Sequence, residues 1–170
     1  MRQCIAIFAL LLTAFLGGCA SVPASSDTVV FIVVRHAEKA SDDPRDPALT
    51  PAGLQRAQRL AELLGRTPLA AAYATEYRRT QQTAQPAAAA HRLALASYAA
   101  GQPAAEFAGM LRRTHPRGTV LVVGHSNTVP DIVAALCGCS VEPIADDDFG
   151  NLYRVGFDRG GRATLQQDRY

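Results

Sequence analysis

Histidines and arginines follow three short apolar segments of the chain, and together these side chains could carry out phosphoryl transfer. Residues 35–39 read Arg-His-Ala-Glu-Lys, residues 75–79 read Thr-Glu-Tyr-Arg-Arg, and residues 124–127 read Gly-His-Ser-Asn. A planar guanidinium group can form paired hydrogen bonds to the equatorial oxygens of a phosphoryl group. A neutral imidazole nitrogen can attack phosphorus, and a second imidazole can stabilise the oxygens during the transfer. This chemistry needs no metal, but it requires the three segments to meet at one site.

The apolar segments that precede these residues alternate with helical patterns. Residues 28–34 and 119–123 are continuous runs of β-branched and apolar residues, which are typical of strands buried on both faces. Residues 51–64 have apolar side chains at helical spacing between a Thr50 cap and Gly65. The full prediction is strands at 28–34, 71–75, 92–98, 119–123, 152–157 and 163–167, and helices at 51–64, 77–91, 103–115 and 128–137.

This order of elements predicts an α/β fold with three layers. The sheet should be mostly parallel with helices on both faces, and the last two strands should form an antiparallel hairpin at one edge. Open sheets of this kind bind ligands beyond the carboxyl ends of their strands. Because His36, Arg79 and His125 all follow predicted strands, we expect their side chains to converge at one edge of the sheet.

Four segments in this order resemble the signature blocks of the histidine phosphatase superfamily, also called phosphoglycerate mutase-like. Residues 35–37 resemble the family's Arg-His-Gly, with alanine for glycine as in the RHAEK form. Residues 49–55 resemble Leu-Thr-x-x-Gly-x-x-Gln, although Gln55 follows Gly53 by two positions instead of three, and the following alanine is Ala57. Residues 74–84 resemble Ser-Ser-x-x-x-Arg-x-x-Gln-Thr-Ala, and residues 122–125 resemble a strand that runs into Gly-His. The resemblance covers most of the chain after residue 28.

The resemblance implies a phosphatase that forms a covalent phosphohistidine, with no metal and no other cofactor. It makes His36 the nucleophile and His125 the second histidine of the site. It makes Arg35 and Arg79 the arginines that bind the phosphoryl group, since the register of the third block selects Arg79 rather than Arg78.

Two other functions fit the sequence less well than a phosphatase does. Residues 124–128 partly resemble the G-x-S-x-G elbow of serine hydrolases, but Thr128 replaces the last glycine and no histidine follows His125. A noncatalytic lipoprotein of the same fold could bind phosphate in the cell envelope. A pure binding pocket does not require an imidazole nucleophile, so the presence of both histidines and both arginines favours the enzyme.

The sequence does not identify the acid that would protonate the leaving group. Glu106 is the one acidic residue in the segment 85–124, where many family members carry this group, and Glu38 and Asp131 are the alternatives. The shortness of that segment leaves little material for a lid. We therefore expect an open site for a phosphorylated small molecule or for a phosphoryl group exposed on a larger molecule.

The beginning of the chain has the pattern of an exported lipoprotein. An apolar run at residues 5–16 is too short to span a bilayer comfortably, and residues 16–19 (Leu-Gly-Gly-Cys) resemble a bacterial lipobox. The pattern predicts a signal peptide at 1–18, a tether at 19–27 with lipid on Cys19, and a phosphatase domain at 28–170. The chain would then be anchored in the bacterial envelope, on the periplasmic face if the host has two membranes. An ordinary signal sequence with a coincidental cysteine is the alternative.

The composition is consistent with one globular domain without a nucleic-acid partner. Hydrophobic residues make up 48% of the chain, the formal net charge is +2, and charged residues are dispersed along the sequence. Cys137 and Cys139 are too few ligands for a zinc site. The sequence leaves open whether they form a disulfide or remain two free thiols.

Overall fold

The computed structural model describes residues 28–170, in which six strands and four helices follow one another as the sequence predicts. The elements are β1 Val29–Arg35, α1 Pro51–Leu64, β2 Leu69–Thr75, α2 Arg78–Ala90, β3 Leu95–Tyr98, α3 Ala104–Thr114, β4 Gly118–Gly124, α4 Val129–Cys137, β5 Asn151–Phe157 and β6 Ala163–Arg169. The largest difference from the prediction is at β3, which was expected to begin at residue 92. Arg92 has a φ of 56° in the turn that leaves α2, so the strand begins only at Leu95.

The six strands form one sheet in the order β3-β2-β4-β1-β5-β6. The first four strands are parallel, whereas β5 runs antiparallel to β1 and β6 runs antiparallel to β5. This topology confirms the predicted α/β fold with a C-terminal antiparallel hairpin at one edge.

Both faces of the sheet are covered by helices, which explains why the central strands are apolar without interruption. In β1, Phe31 and Val33 pack with residues of α3 and α4 such as Phe107 and Ile132. The alternate residues Ile32 and Val34 pack on the other face with residues of α1 and α2 such as Leu60 and Ala87. Successive strand residues point to opposite faces, so a strand between two helical layers needs apolar side chains throughout.

The start of α1 is fitted closely to the segment that follows β1. Thr50 caps the helix, because its Oγ1 accepts a hydrogen bond from Gly53 N at 3.0 Å, and Pro51 occupies the first turn. Thr50 N donates to Glu38 O at 2.9 Å. A Cβ atom on Gly53 would overlap Glu38 O, so a glycine is required where α1 meets this backbone. The motif Leu-Thr-x-x-Gly thus holds the chain just after His36.

Several features of the sequence lie outside the residues that the structure describes. The signal peptide at 1–18 and the tether at 19–27 with Cys19 stay predictions for that reason. Within residues 28–170, none of the helices has the length and apolar character that a membrane crossing needs. Cys137 and Cys139, at the end of α4, are joined by a disulfide bond, so the first of the two alternatives for this pair holds.

Candidate active site

The register between β1 and β4 brings the two predicted histidines together. Arg35, the last residue of β1, pairs with Gly124, the last residue of β4. The residues that follow these two strands, His36 and His125, therefore leave the sheet side by side. His36 N donates a hydrogen bond to Gly124 O at 2.9 Å. The ring centroids of His36 and His125 lie 5.4 Å apart, with the rings at 67° to each other.

A cavity of about 580 Å³ lies at this edge of the sheet. All four residues that the sequence predicted for the site line it. The lining residues are Arg35, His36, Lys39, Pro44, Arg45, Pro47, Tyr77, Arg79, Ala100, His125, Ser126, Asn127, Thr128, Asp146 and Phe149. Four of these residues are basic and one is acidic, so the cavity suits an anion.

His36 is held as a neutral imidazole with a free lone pair on Nε2. Its Nδ1 lies 2.7 Å from Ala37 O, and since a carbonyl oxygen only accepts, Nδ1 carries the proton. Burial lowers the pKa of His36 to about 3, and the positive charges of Arg35 and Arg79 act in the same direction. The side chain is only 4% exposed. At neutral pH the Nε2 atom of His36 is therefore available as a nucleophile.

A short chain of hydroxyl groups fixes the tautomer of His125. Thr80 Oγ1 lies 2.7 Å from Tyr77 O, so the Thr80 hydroxyl must donate there or to Thr75 O at 3.2 Å. Thr75 Oγ1, 2.8 Å from Thr80 Oγ1, consequently donates to it. The 3.0 Å contact between Thr75 Oγ1 and His125 Nε2 is then a hydrogen bond donated by His125. This leaves the lone pair of the neutral ring on Nδ1.

The His125 ring is also kept neutral. Burial lowers its pKa to about 4, with a further lowering by the charge of Arg79 that outweighs the opposite effect of Glu76. Its Nδ1 atom lies 3.5 Å from Arg79 Nη2. Because Nε2 already donates to Thr75, a phosphoryl oxygen could be contacted by Nδ1 only if that nitrogen gained a proton.

Arg79 lines the cavity and has side-chain donors that form no hydrogen bond within the described residues. Its Nε and Nη1 atoms are buried and have no hydrogen-bond partner within the described part of the chain. The guanidinium carbon lies 4.4 Å from the centroid of the Tyr77 ring, which fixes the plane of the group. A buried donor without a partner is costly in free energy, so this arrangement favours a bound oxyanion.

Arg35 is held between the cavity and a loop that is distant in sequence. Its Nη1 donates to Ala145 O at 2.8 Å and to Asp148 O at 3.0 Å, and its Cζ lies 4.2 Å from the centroid of the Phe149 ring. Its Nε is buried without a hydrogen-bond partner among the described residues. The loop 145–149 thus orients Arg35, and sequence reasoning did not find it, since no motif or periodicity marks these residues.

The segment 41–47 also contributes to the site. Asp46 Oδ1 accepts a hydrogen bond from Arg78 N at 2.8 Å, at the beginning of α2, and lies 3.9 Å from Arg79 Nη1. The Arg78 side chain is exposed and pairs with Asp42 at 3.4 Å. The structure therefore places Arg79, and not Arg78, in the cavity, as the register of the third block implied.

None of the three acids considered as proton donors lines the cavity. Glu106 and Asp131 are exposed, in the first turns of α3 and α4. Glu38 forms an ion pair with Arg56 at 2.7 Å. Asp146 is instead the one carboxylate among the described lining residues, and it is exposed. The interpretation of Glu106 as a donor finds no support in this geometry, because an acid must come within hydrogen-bond reach of the leaving group.

Metal ligands are not grouped in the part of the chain that the structure describes. No cluster of three or more histidine, cysteine, aspartate or glutamate side chains in residues 28–170 has the geometry to hold an ion. The arrangement described above can instead bind an oxyanion between Arg35 and Arg79 and present it to His36 Nε2.

Comparison with known proteins agrees with the architecture and with the motifs. Residues 31–100 match the family described as the histidine phosphatase superfamily, branch 1. No curated protein sequence matches the chain.

Solved structures of several phosphatases resemble the fold at low sequence identity. The protein histidine phosphatase SixA complexed with tungstate is 20% identical with a TM-score of 0.66, and the match covers 82% of this chain and 96% of that one. Mycobacterial glucosyl-3-phosphoglycerate phosphatase is 12% identical with a TM-score of 0.65, and the match covers 84% of this chain and 98% of that one. Phosphoserine phosphatase from Entamoeba histolytica is 16% identical with a TM-score of 0.62, and the match covers 84% of this chain and 97% of that one. At these identities the likeness is one of fold.

Proposed function

We propose that this chain, whose residues 31–100 match the histidine phosphatase superfamily, hydrolyses phosphate monoesters or phosphoramidates through a covalent phosphohistidine on His36. The observation that carries the proposal is the neutral His36 imidazole, whose Nε2 lone pair faces a cavity lined by Arg35, Arg79 and His125. A pocket that only bound phosphate would gain nothing from a buried, deprotonated imidazole beside the anion.

In the first step, His36 Nε2 forms a bond to phosphorus while the bond from phosphorus to the leaving group breaks. The leaving group takes the electron pair and gains a proton from solvent. In the second step, water attacks phosphorus and releases a proton to solvent, the N–P bond breaks, and its electron pair returns to Nε2 as phosphate is released. Arg35 and Arg79 stabilise the equatorial oxygens in both steps. The negative charge of the bound phosphoryl group favours uptake of a proton by His125 Nδ1, and the ring then donates a hydrogen bond to one of these oxygens.

We propose that the preferred substrates have good leaving groups. The cavity, as far as the described residues form it, contains no buried carboxyl group, and Asp146 at its border is exposed. Aryl phosphates and phosphorylated nitrogen need little proton transfer to the leaving group. One of the similar folds belongs to a protein histidine phosphatase, which supports the inclusion of phosphoramidates.

The test compares an aryl phosphate, phosphohistidine and an alkyl phosphate as substrates in the presence of a metal chelator. We expect turnover without metal, and kcat/KM about 10²-fold lower or more for the alkyl phosphate. The variants Glu106→Gln and Asp146→Asn should each change the alkyl phosphate rate by less than about 10-fold. A loss of 10²- to 10⁴-fold in either variant, confined to the alkyl substrate, would identify a dedicated acid. Phosphate binding without any turnover would point to the noncatalytic alternative.

We also propose that the chain is a lipoprotein anchored through Cys19. The support is the Leu-Gly-Gly-Cys sequence at residues 16–19 after a short apolar run. The full chain should sediment with membranes, and Cys19→Ser should release it or stop its maturation. Matched controls are Cys137→Ser and Cys139→Ser, which should leave membrane association unchanged. Unaltered processing and membrane partition of the Cys19 variant would contradict the anchor.

A further inference from the structure

The end of the domain opposite the cavity is rich in arginine. We call this surface the basic end. It consists of the segments that lead into β2, β3 and β4 and of the turn between β5 and β6, which are residues 65–68, 91–94, 112–117 and 158–162. Helices in this fold run antiparallel to the parallel strands that follow them, so their carboxyl ends lie at the amino ends of those strands. The active site lies beyond the other ends of the same strands.

Contacts and strand register place these loops together with the start of the described chain. Thr28 O accepts a hydrogen bond from Gly118 N at 3.2 Å, where the chain enters β4. The last pair of the hairpin, Phe157 with Ala163, brings the turn 158–162 to the same end. The Cζ atom of Arg112 lies 4.6 Å from the centroid of the Phe157 ring, which joins α3 to the hairpin.

The charge of the basic end is strongly one-sided. Its arginines are all exposed: Arg66, Arg92, Arg112, Arg113, Arg117, Arg159 and Arg162. The acids at these loops are Asp158, in the hairpin turn, and Glu62, in the last turn of α1. Acidic residues instead collect near the cavity, in the segments 42–46 and 146–148. Although the net charge is only +2, positive charge is concentrated at the basic end, and acidic residues are concentrated at the cavity end of the strands.

Helix stabilisation accounts for only part of this pattern. Cationic side chains in the last turn of a helix interact favourably with its dipole, and Arg112 and Arg113 occupy that position in α3. The last turns of α1 and α2 contain no basic residue. Arg66, Arg117 and Arg162 lie in loops, and the structure shows no side-chain hydrogen bond or ion pair for them within the described chain. Their common location needs another explanation.

We propose that the basic end is a docking surface for an anionic lipid bilayer. Two observations support this choice of partner: the density of exposed arginine, and the position of Thr28, through which the predicted lipidated tether enters the domain at this same end. Residues 20–27 span at most roughly 28 Å when extended, so an anchor on Cys19 holds these arginines close to the headgroups. The electrostatic attraction between these arginines and anionic headgroups acts within a Debye length of about 8–10 Å.

Docking in this orientation directs the active site away from the membrane. The cavity opens at the carboxyl ends of the strands, and the basic end faces the lipid, so a phosphoryl group on a soluble macromolecule can reach His36. This inference rests in part on the proposed lipid anchor and not on the proposed catalysis. Its test uses residues 28–170 without the anchor and has no catalytic readout, so each of the three proposals can fail alone.

The test measures binding of residues 28–170 to vesicles by co-sedimentation. These residues contain all six strands and the hydrophobic cores on both faces of the sheet and so form a complete folded unit, which circular dichroism would verify for every variant. We expect binding to vesicles of phosphatidylglycerol mixed with phosphatidylcholine, release at high salt, and little binding to phosphatidylcholine alone. The triple change Arg66→Gln, Arg117→Gln and Arg162→Gln should weaken binding on the order of 100-fold, at about 5-fold for each arginine.

The matched control removes the same charge elsewhere, through Arg45→Gln, Arg59→Gln and Arg78→Gln, at exposed arginines of segment 41–47, α1 and α2. Because these arginines lie outside the basic end, we expect the control to bind nearly as well as the unaltered protein. Replacement of the three basic-end arginines by lysine should retain most of the affinity, since the attraction is one of charge. Equal binding to both kinds of vesicle, or an equal loss in the triple variant and its control, would overturn the proposal.

Discussion

Replacement of His36 by alanine is expected to lower kcat/KM on an aryl phosphate by on the order of 10⁴-fold or more. The imidazole supplies the atom that bonds to phosphorus, and no neighbouring side chain has its neutral nitrogen in the same position. The free lone pair of His125 is on Nδ1, which lies 3.5 Å from Arg79 Nη2 and not at the position of His36 Nε2, so we do not expect His125 to replace it. The measurement is steady-state hydrolysis of 4-nitrophenyl phosphate by both proteins.

The same variant should still bind an oxyanion. Arg35 and Arg79 remain in place when the His36 ring is removed, so the affinity for tungstate or phosphate should change by less than about 10-fold. The control is His91→Ala, which removes an imidazole that contacts Leu64 O at 3.1 Å outside the cavity and should leave the rate unchanged. Substantial turnover by a folded His36 variant would refute the assignment of the nucleophile.

Replacement of Arg79 by alanine is expected to have the second largest effect, about 10³-fold in kcat/KM. The change removes a guanidinium group from the lining of the cavity, and it removes the positive charge that helps to lower the pKa of His125. Arg79→Lys should recover only part of the rate, because an ammonium group cannot form paired hydrogen bonds to two phosphoryl oxygens. The pKa of His125, followed by NMR, should rise in the alanine variant.

The adjacent arginine provides a matched control for this prediction. Arg78 is exposed and pairs with Asp42, so Arg78→Ala should change kcat/KM by less than about 3-fold. Equal losses in the two alanine variants would mean that the positive charge of the segment matters, and not the donors in the cavity. That outcome would contradict the role given to Arg79.

The sequence was sufficient to predict the elements and the central residues of the site. Continuous apolar runs predict β1 and β4, and apolar residues at helical spacing predict α1. These patterns are visible in the sequence because they reflect which faces of each element are buried. His36 and His125 could be located since both follow strands that pair in parallel, and parallel strands end at one edge of the sheet. The choice of Arg79 over Arg78 depended on the family register.

Contacts between distant loops could not be predicted in this way. Arg35 donates to Ala145 O and Asp148 O, more than a hundred positions further along the chain, through backbone carbonyls that every residue possesses. Asp46 accepts a hydrogen bond from Arg78 N, and it does so from a loop that no motif or periodicity marks. Glu106 was considered as a proton donor because it is the one acid in its segment, yet its place on α3 leaves it exposed and outside the lining of the cavity.

The covalent phosphohistidine is tested most directly by rapid quenching of the enzyme during turnover of an aryl phosphate or phosphohistidine. Mass spectrometry of the quenched protein should find one phosphoryl group, stable in base and labile in acid, on the peptide that contains His36. The His36→Ala protein should carry none. A phosphoryl group on any other residue, or a burst of product with an unmodified His36 peptide, would contradict the mechanism.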